Sequence, residues 1–215
     1  MTTPAEALTQ LNAEIVACTL CQLAQGRTHA VPGEGPVPAT LMFIGEGPGA
    51  TEDKTGRPFV GQAGKLLSTL LQGIGLRRED VFIANVVKCR PPGNRDPEPA
   101  EIEACKAYLD RQIEIVNPRV IVTLGRFSMA RWFPNARITQ IHGQPKRDGD
   151  RMVIAFFHPA AALRQPNFMT GLKDDFQKLP GWIADAQTWQ FPTPPPPAPA
   201  VNTASDDDPE QLRLL

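Results

Sequence analysis

Four side chains that could bind or act on a ligand lie at three apolar runs of the chain and in the glycine-rich segment after the first of these runs. Glu46 follows LMFIG, Asn85 lies within VFIANVV, His158 follows MVIAFF, and Phe59 lies in the glycine-rich segment after Glu46. An aromatic ring can stack on a base while a neighbouring amide hydrogen-bonds the base edge. A neutral histidine can donate to an oxygen that gains negative charge, and a carboxylate can stabilise a sugar cation or position water. These residue types together predict a base-binding pocket.

Each of these residues also has an interpretation that needs no ligand. Glu46 could cap the next helix, His158 could be a turn residue before Pro159, and Phe59 could belong to the core. Asn85 is the least ordinary, because a buried amide needs hydrogen-bonding partners. The sequence GEGPG could cradle a phosphate, but it lacks the lysine and Ser/Thr of a P-loop. We therefore interpret it as one wall of the base pocket.

The predicted order of strands and helices explains how these distant residues would meet. Apolar runs predict strands at residues 39–45, 81–87, 120–124 and 152–157, and helices at residues 3–17, 63–74, 98–116, 125–133 and 167–179. Alternating strands and helices indicate an α/β fold with a mostly parallel four-stranded sheet covered on both faces. Loops after parallel strands open on one edge, so we expect the pocket there, with Gly125 and Arg126 in the third loop.

The four cysteines form a second group of residues that could do chemistry. Cys18 and Cys21 are a C-x-x-C pair, and Cys89 and Cys105 follow far along the chain. No secretory signal precedes them, so disulfides are unfavoured and a metal or redox role is indicated. A zinc site and four unrelated buried thiols both stay open as interpretations of the spacing.

The composition limits the classes of protein to which the chain can belong. The chain has 215 residues, of which 41% are hydrophobic and 21% charged, and it contains no apolar run long enough to span a membrane. Residues 1–190 hold 21 of the 22 basic and 19 of the 23 acidic residues, a weakly positive net charge of +2. We expect one domain over residues 1–190, a disordered Pro-rich and acidic tail over 191–215, and a cytoplasmic location.

Five motifs occur in order and resemble one known family. They are CTLCQLAQGR, GEGPG followed by KTGRPFVGQAGKLL, NVVKCRPPGNRDPEPAEIEAC, VIVTLGR and HPAAALR. Over about residues 10–180 the chain resembles a family 4 uracil-DNA glycosylase, the iron–sulfur branch of that superfamily. The resemblance implies a three-layer α/β/α sandwich and a monofunctional enzyme that excises uracil from DNA and leaves an abasic site. It also implies a [4Fe–4S] cluster held by Cys18, Cys21, Cys89 and Cys105.

The same resemblance assigns roles within the pocket. Phe59 would stack on the flipped uracil, Asn85 would hydrogen-bond its edge, and Gly47 would give a backbone contact. Glu46 would lie at the sugar or the attacking water, and His158 would hydrogen-bond uracil O2. These roles match the chemistry expected from the residue types alone.

The segment after His158 is implied to enter the DNA beside the extruded base. It reads Ala162-Leu163-Arg164, where the family often has two leucines before the arginine, so Leu163 is the expected wedge together with Arg164. A related branch traps its product through a histidine on an extra basic loop, and the segment KCRPPGNRDPEP contains no histidine. We therefore expect turnover rather than covalent trapping.

The last five residues, QLRLL, resemble the short peptides by which bacterial repair proteins dock on the sliding clamp. Gln211, Leu212, Leu214 and Leu215 would fill the clamp pocket while the tail supplies reach. The alternative is that these five residues have no binding role.

We expect a monomer that binds uracil-containing DNA. A non-catalytic iron–sulfur DNA-binding or damage-sensing module, or a clamp-tethered adaptor, would be the other functions compatible with the sequence.

Overall fold

The computed structural model describes residues 2–188. The helices are α1 (Pro4–Ala17), α2 (Leu23–Gly26), α3 (Ala50–Thr55), α4 (Gln62–Gly73), α5 (Pro99–Val116), α6 (Arg126–Met129), α7 (Ile138–Ile141), α8 (Pro159–Ala162) and α9 (Pro166–Thr188). The strands are β1 (Leu41–Gly45), β2 (Phe82–Asn85), β3 (Val120–Leu124), β4 (Pro145–Asp148) and β5 (Arg151–Phe156). The predicted clamp motif and the predicted boundary at residue 190 lie outside the described residues.

The strands form one sheet in the order β2-β1-β3-β5-β4. β1 pairs in parallel with β2 and β3, β3 pairs in parallel with β5, and β4 pairs antiparallel with β5. The predicted α/β class and mostly parallel sheet are confirmed, but the predicted count of four strands misses β4. The sequence of β4 is PKRD and every residue is exposed, so this edge strand has no apolar pattern by which to recognise it.

The central strands are apolar along their whole length because both faces of the sheet are covered. In β1, Leu41 and Phe43 pack into one hydrophobic cluster, whereas Met42 and Ile44 pack into the other. All residues of β1, β2 and β3 are buried. Successive side chains of a strand point to opposite faces, so a sheet in the middle of three layers needs apolar residues at every position.

Helices form the two outer layers. On one face, α4 and α9 contribute buried leucines and Phe176, and α8 contributes Ala162. On the other face lies α5, with Leu109, Ile113 and Val116 against the sheet. α1 packs on α5 through Leu11 and Ile15 and so adds a further helix outside this layer. The three-layer arrangement expected from the resemblance is confirmed.

Two helix ends differ from those predicted by more than one residue. The last helix was expected to end at residue 179, yet α9 continues through Pro180 to Thr188. Buried Ala186 and partly buried Trp182 and Ile183 anchor this extension to the core, which offsets the hydrogen bond lost at the proline. The helix predicted for residues 125–133 is shorter, because α6 ends at Met129.

α1 begins at a capping box, in which the Thr3 hydroxyl accepts from the Glu6 N–H and the Glu6 carboxylate accepts from the Thr3 N–H. Within residues 2–188, no helix has both the length and the apolar character needed to cross a bilayer.

Candidate active site

A cavity of about 350 Å³ opens at the carboxyl ends of the parallel strands. The structure brings Glu46, Phe59, Asn85 and His158 together in its wall, as expected from the positions of these residues after three different strands. Gly47 also lines it. The polar residues that line the cavity and that the sequence did not single out are Glu52, Asn94, Arg95 and Asp96.

Phe59 is buried and its backbone has the unusual φ of +49°. Two glycines make room for it. A Cβ at Gly45 would lie 2.5 Å from the Phe59 ring, and a Cβ at Gly64 would lie 1.8 Å from the Phe59 carbonyl oxygen. A left-handed backbone at an aromatic residue is strained by about 1–3 kcal/mol, and such strain persists only where its surroundings enforce it.

Glu52 enforces the conformation of the Phe59 loop from one side. Its Oε1 accepts hydrogen bonds from the Val60 N–H at 2.9 Å and the Gly61 N–H at 2.7 Å. Glu52 lies in the first turn of α3 and is only 9% exposed. An acidic residue in a first helical turn is ordinary in sequence, so nothing in the pattern distinguishes this buried one.

Arg78 enforces the same loop from the other side. Its guanidinium donates to the Phe59 carbonyl at 2.8 Å and to the Pro58 carbonyl, and it pairs with Glu34 at 2.7 Å. Arg57 also pairs with Glu34, at 2.9 Å. The loop is therefore fixed by hydrogen bonds to its backbone, which a charge on each side makes stronger than neutral ones.

Asn85 ends β2 and is 1% exposed, yet its Oδ1 has no hydrogen-bond partner among the described residues. A Cβ at Gly45 would lie 2.4 Å from this oxygen and 2.5 Å from the Phe59 ring, so the amide and the ring both lie against the same glycine. An unpaired buried acceptor costs about 1–3 kcal/mol. An amide kept in this state next to a cavity is suited to a ligand that donates a hydrogen bond to it.

His158 follows β5 and caps the start of α8. Its Nδ1 accepts a hydrogen bond from the Ala160 N–H at 3.1 Å. Burial lowers the pKa of His158 to about 4, and the charge of Arg164 acts in the same direction. The imidazole is therefore neutral near pH 7, and because Nδ1 is an acceptor, the proton lies on Nε2. His158 can donate one hydrogen bond from Nε2 to a ligand.

Glu46 is held at the start of α6. Its Oε1 accepts from the Phe127 N–H at 3.1 Å. Burial raises the pKa of Glu46, and hydrogen bonds from the Phe127 and Arg126 backbone N–H groups oppose the shift. Gly125, with φ of +98°, leaves room for the Glu46 carboxylate, since a Cβ at this position would lie 2.4 Å from Glu46 Oε1. The carboxylate thus has a fixed position on the cavity wall beside His158.

This arrangement can be compared with known proteins. Residues 32–179 match the sequence profile of the Uracil DNA glycosylase superfamily. The chain belongs to this superfamily. It is 50% identical over 184 residues to a Type-4 uracil-DNA glycosylase of Sulfurisphaera tokodaii, covering 81% of this chain and 84% of that protein. Type-4 uracil-DNA glycosylases of Archaeoglobus fulgidus and Thermotoga maritima are 47% and 48% identical over 184 and 167 residues. These similarities place the chain in the type-4 family.

The superfamily match includes the whole cavity but begins after Cys18 and Cys21. In the structure these two residues line one small cavity with Cys89, Cys105 and Tyr108. It lies where the end of α1, the segment after β2, and α5 meet. As the side chains stand, no three of the described His, Cys, Asp and Glu residues converge as ligands of a single ion.

Hydrogen-bond donors and cations surround this cysteine cavity. Arg27 Nη1 donates to Cys89 Sγ at 3.0 Å, and the Leu20 N–H donates to Cys18 Sγ at 3.5 Å. Burial raises the pKa of the Cys89 and Cys105 thiols, while Arg27 and Lys88 respectively act against the shift. A hydrogen bond to Cys18 raises the pKa of Tyr108 to about 12. Four thiols in one cavity, three of them with hydrogen-bond donors directed at them, fit a group that binds thiolates.

The expected wedge lies at the rim of the larger cavity in this family member. Leu163 follows α8 and its side chain is 50% exposed, while Arg164 lines the cavity itself. Asp96 also lines the cavity, and its side chain pairs with that of Arg126; both side chains are 62% exposed. An exposed apolar residue and the cation of Arg164 therefore lie next to each other at this cavity.

Proposed function

We propose that this chain hydrolyses the N-glycosidic bond of deoxyuridine in DNA, releasing uracil and leaving an abasic site. The observation that carries the proposal is the unpaired Oδ1 of Asn85 beside the Phe59 ring, with the neutral His158 on the same cavity wall. The type-4 relatives named above support the same activity. The base must leave the duplex stack to reach so deep a crevice.

Asn85 would select uracil by its hydrogen-bonding edge. Its Oδ1 would accept from uracil N3–H, and its Nδ2 would donate to O4. Cytosine has an acceptor at N3 and a donor at position 4, so both contacts would be mismatched. Phe59 would stack on the pyrimidine ring, and the Gly47 backbone would contact the base. Rejecting a base in this way leaves buried polar groups unpaired, which is the strongest source of discrimination available to such a site.

His158 would assist departure of the base. As the bond to the sugar breaks, negative charge develops on uracil and in part on O2. The Nε2–H of His158 would donate to that oxygen without transferring a proton, since the pKa of about 4 makes the imidazole a neutral donor. The Ala160 N–H keeps the required tautomer in place.

Glu46 would act on the sugar side of the broken bond. Its fixed carboxylate can stabilise the positive charge that develops on the deoxyribose and can orient the attacking water. When the bond breaks before water attacks, modest base catalysis is sufficient. Leu163 and Arg164 would enter the DNA and fill the space left by the flipped nucleotide, since Arg164 lines the cavity and the adjoining Leu163 is exposed.

The four cysteines would hold a [4Fe–4S] cluster that acts as a cross-link. Cys18 and Cys21 follow α1, Cys89 follows β2, and Cys105 lies in α5, so the cluster would tie these three segments together. Four cysteine thiolates are the usual ligands of such a cluster, and the four thiols line one cavity beside the Arg27 and Lys88 cations.

The tail, the monomeric state and the cytoplasmic location stay predictions from the sequence. Residues 211–215 would dock on a sliding clamp, and the catalytic domain would end near residue 190. Neither proposal affects the chemistry of the cavity.

Incubation of iron-loaded protein with single- and double-stranded oligonucleotides that contain one uracil tests the proposed function. Alkali should then cleave the uracil strand at that site, whereas the matched thymine and cytosine oligonucleotides should stay intact. Binding to uracil-containing DNA without cleavage would instead support the non-catalytic module, and would exclude the enzyme.

A further inference from the structure

Lys88 is a fully buried lysine between the two sites already described. Its side chain is 1% exposed and is among the largest fully buried side chains of the described residues. The ammonium donates to the backbone carbonyl of Asn85 at 2.7 Å and to Gln112 Oε1 at 2.5 Å. One end of this small network is therefore the residue whose amide lies unpaired in the cavity.

The other end of the network is the cysteine cavity. Lys88 precedes Cys89, lines that cavity, and interacts electrostatically with Cys105. Its backbone N–H also hydrogen-bonds to Cys105. Lys88 thus adjoins two of the four thiols while its ammonium holds the end of β2.

No carboxylate pairs with Lys88 among residues 2–188. Lysines are almost never fully buried without an anionic partner, because the loss of hydration costs several kcal/mol. Four thiolates outweigh the positive charge of the iron core, so the cysteine site is anionic when it is loaded. That anion is the partner that the buried ammonium otherwise lacks.

Gln112 and the backbone of Lys88 connect this network to a third segment. Gln112 is 0% exposed and its Nε2 donates to the Pro32 carbonyl at 2.7 Å. The Val31 N–H donates to the Lys88 carbonyl at 2.7 Å. Lys88 is thereby fixed to α5 and to the segment before β1, so its ammonium has little room to move.

We propose that Lys88 is a positioning residue that couples the loaded cysteine site to the base-reading amide. The anionic site holds the buried ammonium in place, and the ammonium fixes the carbonyl of Asn85 and with it the end of β2. This inference rests on the proposed function. It assigns the cysteine site a second effect beyond cross-linking, which is to keep the Asn85 amide in position to hydrogen-bond the base.

Lys88→Met is the direct test, because methionine has nearly the same length without the charge. Single-turnover excision at saturating protein should fall about tenfold, while affinity for DNA with an abasic-site analogue should stay within about twofold. The reduction potential of the iron-loaded protein should become more negative, since a neighbouring cation that favours the reduced state is gone. Lys106→Met is the matched control, since Lys106 adjoins Cys105 on α5 but is 51% exposed and pairs with Asp110.

A normal excision rate in Lys88→Met would overturn the proposal, and so would an unchanged potential. Equal losses of excision and of abasic-DNA affinity would also overturn it, since they would indicate a general disturbance of the fold. Should Lys88→Met yield no iron-loaded protein, Gln112→Leu decides. That variant keeps the charge but removes one acceptor of the ammonium, and should slow excision about threefold at unchanged iron content; a normal rate would refute the coupling.

The two proposals fail separately. Wild-type protein that excises no uracil contradicts the enzyme, whereas the potential and the abasic-DNA affinity still report on Lys88. Wild-type protein that excises uracil alongside an equally active Lys88→Met variant contradicts the coupling alone.

Discussion

Acid pH should destabilise this protein through His158, and the size of the effect follows from its environment. The pKa of His158 is lowered from its ordinary value of 6.5 to about 4 by burial in the cavity wall. The folded chain then binds fewer protons than the unfolded chain between about pH 6.5 and pH 4. Stability therefore falls as pH falls through 6.5, and the loss is complete below about pH 4.

The linkage relation converts this shift into a free energy of unfolding. At pH 5 the unfolded histidine is almost wholly protonated, whereas the folded one is protonated to roughly a tenth. Lowering the pH from 7.5 to 5 should then remove about 2 kcal/mol of the free energy of unfolding through this residue. The comparison does not go below pH 5. This limits the contribution of other groups to the change in stability and preserves acid-labile cofactors.

Urea unfolding of wild type and His158→Gln at pH 7.5 and pH 5 measures this loss. Glutamine can still accept from the Ala160 N–H but does not titrate, so the contributions of all other groups cancel in the comparison. Wild type should lose about 2 kcal/mol more than the variant between the two pH values. The same loss in both proteins, or an excision rate whose acid limb has its midpoint near pH 6.5, would refute the neutral imidazole.

Other perturbations test the supports of the site. Gly125→Ala should destabilise the chain by about 1–3 kcal/mol and slow excision, because the new Cβ meets Glu46 at a positive φ; Gly73→Ala, with no atom within 4 Å of its Cβ, is the control. Glu52→Ala should lower the free energy of unfolding by about 2–4 kcal/mol, because it removes both hydrogen bonds to the Phe59 loop. Urea titration measures this loss, and the control Glu79→Ala, at an exposed position, should leave the free energy of unfolding unchanged. Deleting residues 211–215 should weaken clamp binding and leave excision on short DNA intact; unchanged clamp affinity would dispose of the docking motif.

The cavity could be predicted from the sequence because its main side chains are tied to strand ends. Glu46, Asn85 and His158 each end or follow an apolar run that is buried on both faces of the sheet. The rule that such ends share one edge then brings residues more than 100 positions apart into one crevice. Convergence of this kind depends on topology, which the alternation of strands and helices indicates.

The supports of the cavity could not be predicted in the same way. Glu52 and Arg78 act through backbone groups of other segments, and Lys88 acts through the Asn85 carbonyl and the Gln112 side chain. An ordinary polar residue in sequence carries no mark of such a contact. The role of Gly125 depends on a carboxylate that comes from a different strand. β4 and the extension of α9 past Pro180 were missed for a related reason, since tertiary pairing and burial override their local patterns.

Uracil release by wild type and Asn85→Ala tests the central claim most directly. Chromatography of the free base from a double-stranded uracil oligonucleotide should show one uracil for each abasic site formed by the wild-type protein. The variant should be slower by roughly a hundredfold or more, since it lacks both contacts to the base edge. Uracil release at the wild-type rate by Asn85→Ala, or no release by iron-loaded wild type, would contradict the account.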